Sequence, residues 1–306
     1  NIIAVKYVCL EIAKNNIEIT STISEITLTI LCIFLLSTKF IISSAIPIND
    51  KIKSVYYEGD ISQWLTISFE GRLANPMEIS ERIYMLDEAN EYYDLTSLDT
   101  ITIPNGTIIL GDYQFAGLPN IDNLYIPNSV KIVGKNVFGN YQLTIENLYF
   151  DGNIVDWCNI MFADKYTIAY DSNNIFFKEN NNFIKIEERL VVPGIVSELN
   201  ENVFSGFRKV ETIIIEEGII SIGNNLFHNC YNLKEIVIPS SINEIGEDFV
   251  YGCSKLERLC YNGDQEHWDI VLKPDVETEV YYYSETQPEE NGNYWHFIDS
   301  DIAIWE

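Results

Sequence analysis

The chain has 306 residues, with 46 acidic against 19 basic side chains and a formal net charge of −27. Hydrophobic residues make up 47% of it, which excludes a wholly disordered chain and suffices for a large core. The charge excludes a general nucleic-acid binder and a protein that docks on anionic membranes, because both need a basic face.

The N-terminal segment, residues 1–56, contains a mostly apolar run from Ile26 to Ile46. One interpretation is a hydrophobic secretory leader, with the small residues Ser43–Ala45 at its end, although acidic residues precede the run where basic ones are expected. The interpretation we favour is a pair of degenerate repeats, Ile17–Ile26 and Phe40–Ile46, in phase with the repeats described below.

A Trp-containing module recurs three times and carries most of the negative charge. Each copy begins with an aromatic residue, an acid or amide and a Gly, and a Trp follows the Gly by five positions. The copies are Tyr57-Glu58-Gly59 with Trp64, Phe150-Asp151-Gly152 with Trp157, and Tyr261-Asn262-Gly263 with Trp268. We expect a turn at each Gly, with the Trp packed beside the main fold. The first two modules are predicted to be inserts at 57–98 and 150–188.

A 23-residue repeat occupies the segments 99–149 and 189–261. Each unit begins with the pattern apolar-x-apolar-Pro, and a Phe follows the Pro position by eleven residues in most units. The pattern occurs at Ile101–Pro104, Leu124–Pro127, Leu190–Pro193, Ile213–Glu216 (with Glu in place of Pro) and Ile236–Pro239. Alternating apolar residues predict a short strand, which Pro ends because it cannot donate a ladder hydrogen bond. A single unit cannot bury its Phe alone, so the units must stack in a parallel-stranded solenoid.

The tail, residues 262–306, is predicted to be an aromatic and acidic cap. Val280–Tyr283 and Tyr294–Phe297 predict a hairpin or small sheet, which Ile302–Trp305 completes. A solenoid's last turn exposes an unpaired edge and its core, so a cap is needed there. The runner-up interpretation of this tail is an aromatic platform for glycans.

The repeat resembles the BspA type of leucine-rich repeat, also called the Treponema pallidum type. The resemblance rests on Ile236-Val237-Ile238-Pro239-Ser240-Ser241-Ile242 with Glu244-Ile245-Gly246, and it covers about residues 95 to 261. It implies a curved solenoid with parallel strands on its concave face and short turns or helical segments elsewhere. It also implies a secreted or cell-surface bacterial protein associated with adhesion, including binding of host matrix and plasma proteins.

The candidate binding residues are the middle residues of the strand pattern, which a leucine-rich solenoid turns to its concave face. They are Thr102, Tyr125, Tyr149, Val191, Ile214, Val237 and Cys260. The β-propensity of these residue types offers a purely structural explanation for each one singly. As a contiguous row they favour a partner surface, and Tyr125 and Tyr149 are the first pair to test.

Catalytic and metal-binding patterns are weak in this sequence. It has no GxSxG, HExxH, P-loop or GxGxxG motif, which favours a non-enzymatic protein without a cofactor or metal. Cys230 and Cys253, 23 residues apart, predict a ladder of buried thiols, with a disulfide as the alternative. Three acids near the Gly turns raise the alternative of calcium sites: Asp60, Asp151 and Asp264.

The sequence therefore favours a secreted or cell-surface interaction or adhesion protein that binds a protein or glycan. The expected partners include host matrix and plasma proteins, and exclude nucleic acid and small-molecule cofactors. Two alternatives remain at this point: a passive spacer region of a larger surface protein and, behind it, a carbohydrate-active enzyme.

Overall fold

The computed structural model describes residues 30–32, 41–42, 53–139 and 143–305. Successive turns of the chain each give one strand to a long, mainly parallel sheet and one two-residue strand to a short sheet on another side. The predicted parallel solenoid with short helical segments is confirmed.

Three long sheets follow one another along the solenoid. The first contains Ile30–Cys32 (β1), Val55–Tyr57 (β3), Ile83–Leu86 (β5) and Tyr92–Asp94 (β6). The second contains Thr100–Thr102 (β7), Ile121–Pro127 (β9), Ile145–Asp151 (β11), Ser172–Glu179 (β13) and Asn182–Lys185 (β14). The third contains Arg189–Val192 (β15), Thr212–Ile215 (β17), Glu235–Ile238 (β19), Arg258–Tyr261 (β21), Glu279–Tyr283 (β22), Tyr294–Ile298 (β23) and Asp301–Ile304 (β24).

Short parallel sheets and single-turn helices complete the turns of the solenoid. The short strands are Ile41–Ile42 (β2), Ser68–Phe69 (β4), Ile109–Leu110 (β8), Ile132–Val133 (β10), Met161–Phe162 (β12), Glu198–Leu199 (β16), Ser221–Ile222 (β18) and Glu244–Ile245 (β20). The α-helices are Ile61–Trp64 (α1), Pro76–Ile79 (α2), Ile154–Cys158 (α3) and Gln265–Ile270 (α4), and 3-10 turns occupy Arg72–Ala74 and Leu95–Ser97.

The repeat positions have the structural roles that their chemistry dictates. The Phe column is buried, and its rings stack between neighbouring turns: Phe204 and Phe227 lie 5.8 Å apart between centroids, at 13°. Gly246 lies at a close approach of successive turns, since a Cβ on it would lie 2.5 Å from the backbone nitrogen of Asn224. Any larger residue there would push the turns apart.

The Trp modules are themselves turns of the solenoid, which corrects the expectation that each Trp packs beside it. Trp64, Trp157 and Trp268 are all buried in the same hydrophobic core as the repeats. In each module the leading aromatic ring packs against the indole, with centroids 4.9 to 5.3 Å apart. The helix that carries the Trp lengthens the path between the long-sheet strand and the short-sheet position. A module is therefore a turn with a helical insertion.

Each long sheet ends in an antiparallel hairpin: β5–β6, β13–β14 and β23–β24. The strands predicted in the tail are confirmed, but they extend the third long sheet instead of forming a small sheet of their own. Since β22 and β23 pair in parallel, the predicted hairpin between them is wrong. The true hairpin turn is Asp299–Ser300, where both residues have positive φ, as do Asn180 and Asn181 in the preceding hairpin. Two consecutive residues with a left-handed backbone conformation give the turn a twist that matches the twist of the two flanking strands.

The predicted Phe40–Ile46 repeat has a different phase in the structure. The strand β2 lies within the predicted Phe40–Ile46 unit, but it pairs with β4 in a short sheet instead of joining the long sheet. The long-sheet strand of this region is β1, which pairs in parallel with β3. The predicted Ile17–Ile26 unit lies outside the described residues.

Candidate functional site

The predicted binding residues align in register along the outer surface of the long sheets, which we call the row face. In the second sheet Thr102 pairs with Tyr125 and Tyr125 with Tyr149. In the third sheet one continuous register contains Val191, Ile214, Val237 and Cys260. The structure adds Phe176 to the second row and Tyr281 to the third.

The third row is covered by the chain itself, so the expectation of an exposed stripe is wrong for three of its residues. Ile214, Val237 and Cys260 are only 8%, 3% and 0% exposed. They are buried because the β23–β24 hairpin folds back over this sheet and seats the fully buried Trp295 on it. Val191, at the far end of the row, stays 39% exposed. The hairpin side chains in this second hydrophobic cluster are Trp295, Ile302 and Ile304.

Polar contacts fix the hairpin at both ends of the third sheet. The indole Nε1 of Trp295 donates to the carbonyl oxygen of Tyr261 at 2.8 Å. At the other end the guanidinium of Arg189 donates to the Asp301 carboxylate at 2.8 Å and to the Ser300 carbonyl at 2.5 Å. Since Arg189 begins the first strand of this sheet, the hairpin reaches that edge of the sheet, although it leaves Val191 exposed.

Cys230 and Cys253 are free thiols, as the first interpretation predicts, but only Cys230 is buried and Cys253 is half-buried. Their Sγ atoms donate to equivalent carbonyl oxygens one turn apart, those of Phe204 and Phe227, at 3.2 and 3.1 Å. Burial raises the pKa of Cys260 to about 12, so this thiol is neutral and unreactive under the hairpin.

The second row is open and aromatic. The rings of Tyr125 and Tyr149 stack with centroids 4.6 Å apart at 9°, and Phe176 continues the stack at 4.6 Å and 21°. These side chains are half-buried, and Thr102 at the end of the row is exposed. Partial burial, and then the neighbouring Tyr125, raise the pKa of Tyr149, so its hydroxyl is a neutral hydrogen-bonding group at physiological pH.

The hairpin strands β6 and β14 bring a further ring onto each open row. Phe183 of β14 packs edge-on against Tyr149 at 5.1 Å. In the first sheet Tyr92 of β6 packs edge-on against Tyr56 at 5.3 Å, and Tyr56 stacks on Tyr84 at 4.6 Å. From the sequence we predicted neither the strands β3, β5, β6 and β14 nor the rings they carry, which are Tyr56, Tyr84, Tyr92 and Phe183. The Asn180-Asn181 pair, flanked by alternating apolar residues, is the sequence feature that indicates the second hairpin.

A ladder of amides runs beside the aromatic row of the second sheet, two residues before each row position. Asn174 donates to Asn147 at 3.1 Å, Asn147 donates to Asn123 at 3.2 Å, and Asn123 donates to the Thr100 hydroxyl at 3.2 Å. Lys209 closes the ladder by donating to Asn174 at 2.7 Å. Asn123 and Asn147 thus each donate one hydrogen bond and accept one along this line, which ties the four strands together.

The third Trp module differs from the other two in the side chain that packs against its indole, on the side where the next turn of the solenoid would lie. In the first two modules the Trp donates to a carbonyl of the following repeat segment, as Trp157 does to Val203 at 2.8 Å, and a Phe packs against the indole. In the third module Lys273 takes that Phe position. Its ammonium lies 4.7 Å from the Trp268 ring centroid and donates to the Trp268 carbonyl at 2.5 Å. A charged group thus covers the indole of the third module.

The acids that suggested calcium have structural partners. Asp60 and Asp264 are helix N-caps that accept backbone hydrogen bonds at 2.8 Å, and Asp151 is paired with Lys178. Within the described residues no three His, Cys, Asp or Glu side chains are grouped closely enough to hold a metal ion. None of the helices in this part of the chain has the length and apolar character of a membrane span.

Sequence comparison identifies the family. The model of the BspA type Leucine rich repeat region matches residues 87–188 and 172–267, with six copies, which is more than half of the chain. The chain belongs to the BspA-type leucine-rich repeat family. No curated protein matches its sequence.

Solved structures similar to this BspA-type chain are all distant in sequence. A leucine-rich cell surface protein from Faecalibacterium prausnitzii is 14% identical, with 74% of this chain and 73% of that chain covered and a TM-score of 0.26. A leucine-rich repeat protein from Bacteroides ovatus is 15% identical, with 76% and 52% covered and a TM-score of 0.37, so this chain spans about half of it. The T. pallidum leucine-rich repeat protein is 14% identical, with 65% and 82% covered and a TM-score of 0.25.

Proposed function

We propose that this chain is a non-enzymatic, secreted or cell-surface adhesion protein that binds another protein through the row faces of its first and second long sheets. Its family and the surface location named for the Faecalibacterium protein support the location. The observation that carries the proposal is the accessible aromatic row of Tyr125, Tyr149 and Phe176, with Phe183 beside it.

Stacked Tyr and Phe side chains suit a protein partner. Tyr supplies a large apolar area and a hydroxyl group at a small entropic cost, and aromatic residues are enriched at the centres of protein interfaces. A glycan partner is supported less well, because sugars stack on ring faces and most of the ring faces in this row are covered by neighbouring rings. Host matrix and plasma proteins are the partners we expect.

Binding of purified fibronectin, fibrinogen and laminin to the immobilised chain, followed by biolayer interferometry, tests the proposal. The double variant Tyr125→Ala/Tyr149→Ala should lose at least tenfold in affinity for any protein that binds. The matched control is Tyr231→Ala/Tyr251→Ala, since these two residues are 38% and 61% exposed and lie off the row. Equal losses in both variants would contradict the proposal, and the absence of binding to all three proteins would favour a passive spacer.

A further inference from the structure

The chain contains three Asn-Gly pairs, and the structure places them in three different environments. They are Asn105-Gly106, Asn262-Gly263 and Asn291-Gly292. At an Asn-Gly pair the backbone nitrogen of Gly readily attacks the Asn side chain, because Gly has no side chain to hinder the approach and its backbone is mobile. The attack needs a free Gly N–H and an Asn side chain that can turn toward it. Local hydrogen bonds therefore decide which pair reacts.

The pair Asn262-Gly263 is held at both residues. The side-chain Nδ2 of Asn262 donates to the Glu217 carboxylate at 2.6 Å, and its backbone N–H donates to the Ile238 carbonyl at 2.8 Å. The Gly263 carbonyl accepts a hydrogen bond from the Tyr283 N–H at 3.2 Å. Both residues of the pair are half-buried. The Asn262 side chain cannot turn toward Gly263 without losing its bond to a charged group.

The pair Asn105-Gly106 is exposed, but its nucleophile is occupied. The Gly106 N–H donates to the Ser129 hydroxyl at 3.1 Å. The Thr107 N–H donates to the Pro104 carbonyl at 3.2 Å, which closes a tight turn, and Gly106 has a φ of 88° in it. Attack by the Gly106 nitrogen would break the bond to Ser129 and distort this turn. We therefore expect an intermediate reactivity here.

The pair Asn291-Gly292 lies in the connection 284–293 between β22 and β23, and both of its residues are exposed. In the part of the chain that the structure describes, no hydrogen bond uses the Asn291 side chain or the Gly292 N–H. The two preceding residues, Glu289 and Glu290, are exposed as well, so the segment lies in water. Neither the nucleophile nor the group that it attacks is restrained.

We propose that Asn291 is a self-modification site of the folded chain, where the side-chain amide is converted to aspartate or isoaspartate ahead of the other two pairs. The Gly292 nitrogen forms a bond to the side-chain carbonyl carbon of Asn291 and loses its proton, and ammonia leaves. Water then opens the resulting succinimide ring at either of its carbonyl carbons. The net reaction consumes one amide and one water and yields one carboxylic acid and one ammonia, without oxidation or reduction.

The modification changes the base of the tail hairpin. Each product adds a negative charge beside Glu289 and Glu290. The isoaspartate product also lengthens the backbone by one methylene group, because the main chain then runs through the side-chain carbon. This extra group lies two residues before Asn293, whose carbonyl accepts from the Tyr282 N–H at 2.9 Å where β23 joins the sheet.

Incubation of the full wild-type chain at mildly alkaline pH tests the proposal, with peptide mass spectrometry that separates asparagine, aspartate and isoaspartate. In the folded chain, Asn291 should be converted at least tenfold faster than Asn262, with Asn105 between them. In urea sufficient to unfold the chain, the three rates should agree within threefold, because the hydrogen bonds that protect two of the pairs are then lost.

Two variants test the physical cause. Ser129→Ala removes the acceptor of the Gly106 N–H and should speed the conversion of Asn105 at least threefold, while the rate at Asn262 stays unchanged. Gly292→Ala places a methyl group beside the attacking nitrogen and should slow the conversion of Asn291 at least fivefold. Equal rates at Asn291 and Asn262 in the folded chain would overturn the proposal. An advantage of Asn291 that persists undiminished in urea would also overturn it, since local sequence and not the fold would then be the cause.

Discussion

Replacing Trp295 by Ala should undock the tail hairpin and expose the third row. The indole is fully buried, and a change from a buried Trp to Ala costs about 3 to 5 kcal/mol. The lost hydrogen bond to the Tyr261 carbonyl adds about 1 kcal/mol. Because about 1.4 kcal/mol corresponds to a factor of ten, a combined loss of about 4 to 6 kcal/mol should raise the undocked population about 1,000-fold or more.

The native thiol of Cys260 reports on this undocking. It is fully buried beneath the hairpin, and its raised pKa keeps it protonated, so a thiol reagent should label it only when the hairpin opens. We expect the labelling rate of the Cys260 peptide, followed by mass spectrometry, to rise about 1,000-fold or more in Trp295→Ala. The control is Trp305→Ala, which removes a half-buried indole of the same tail and should have a much smaller effect. A rate in Trp295→Ala within threefold of wild type would refute the reasoning.

Three further predictions concern other parts of the fold. Lys273→Phe should restore an apolar stacking face at the end of the solenoid and increase self-association in analytical ultracentrifugation; an unchanged sedimentation profile would contradict this. Gly152→Ala should lower the free energy of unfolding by about 1 to 3 kcal/mol, because its Cβ would lie 2.6 Å from the Phe150 ring, whereas Gly71→Ala, with open space around it, should be neutral. Burial raises the pKa of Asp171 to about 7, so the folded state binds the extra proton and wild-type stability should fall as pH rises from about 4 to 7. In Asp171→Asn this fall in the free energy of unfolding, up to ~4 kcal/mol, should be absent. Urea unfolding at several pH values measures it, and an unchanged pH dependence in the variant would exclude the Asp171 carboxyl as its cause.

The repeat architecture could be predicted because its determinants are local and recur. A strand, a Pro and a Phe at fixed spacing in several units leave few other ways to bury the Phe, and the stacked Phe204 and Phe227 confirm this. The alignment of Tyr125 with Tyr149 follows from the same reasoning. The Phe40–Ile46 repeat was placed in the wrong phase because it lacks the Pro and Gly that mark the phase elsewhere.

The covered row could not be predicted because it depends on contacts between distant parts of the chain. Arg189 meets Asp301 across 112 residues, and no local pattern indicates that pair. The row positions Val237 and Cys260 are as apolar as a covered surface requires, whereas Tyr125 and Tyr149 carry hydroxyl groups. This contrast in polarity is the one sequence feature that separates the covered from the open row.

Hydroxyl-radical footprinting of the free wild-type chain tests the division into open and covered rows most directly. We predict rapid oxidation of Tyr125, Tyr149 and Phe183 and strong protection of Trp295, with the half-buried Trp305 as the indole reference in the same tail. Oxidation of Trp295 as fast as that of Trp305 would contradict the covered third row. Protection of Tyr125 and Tyr149 to the level of Trp295 would contradict the open second row.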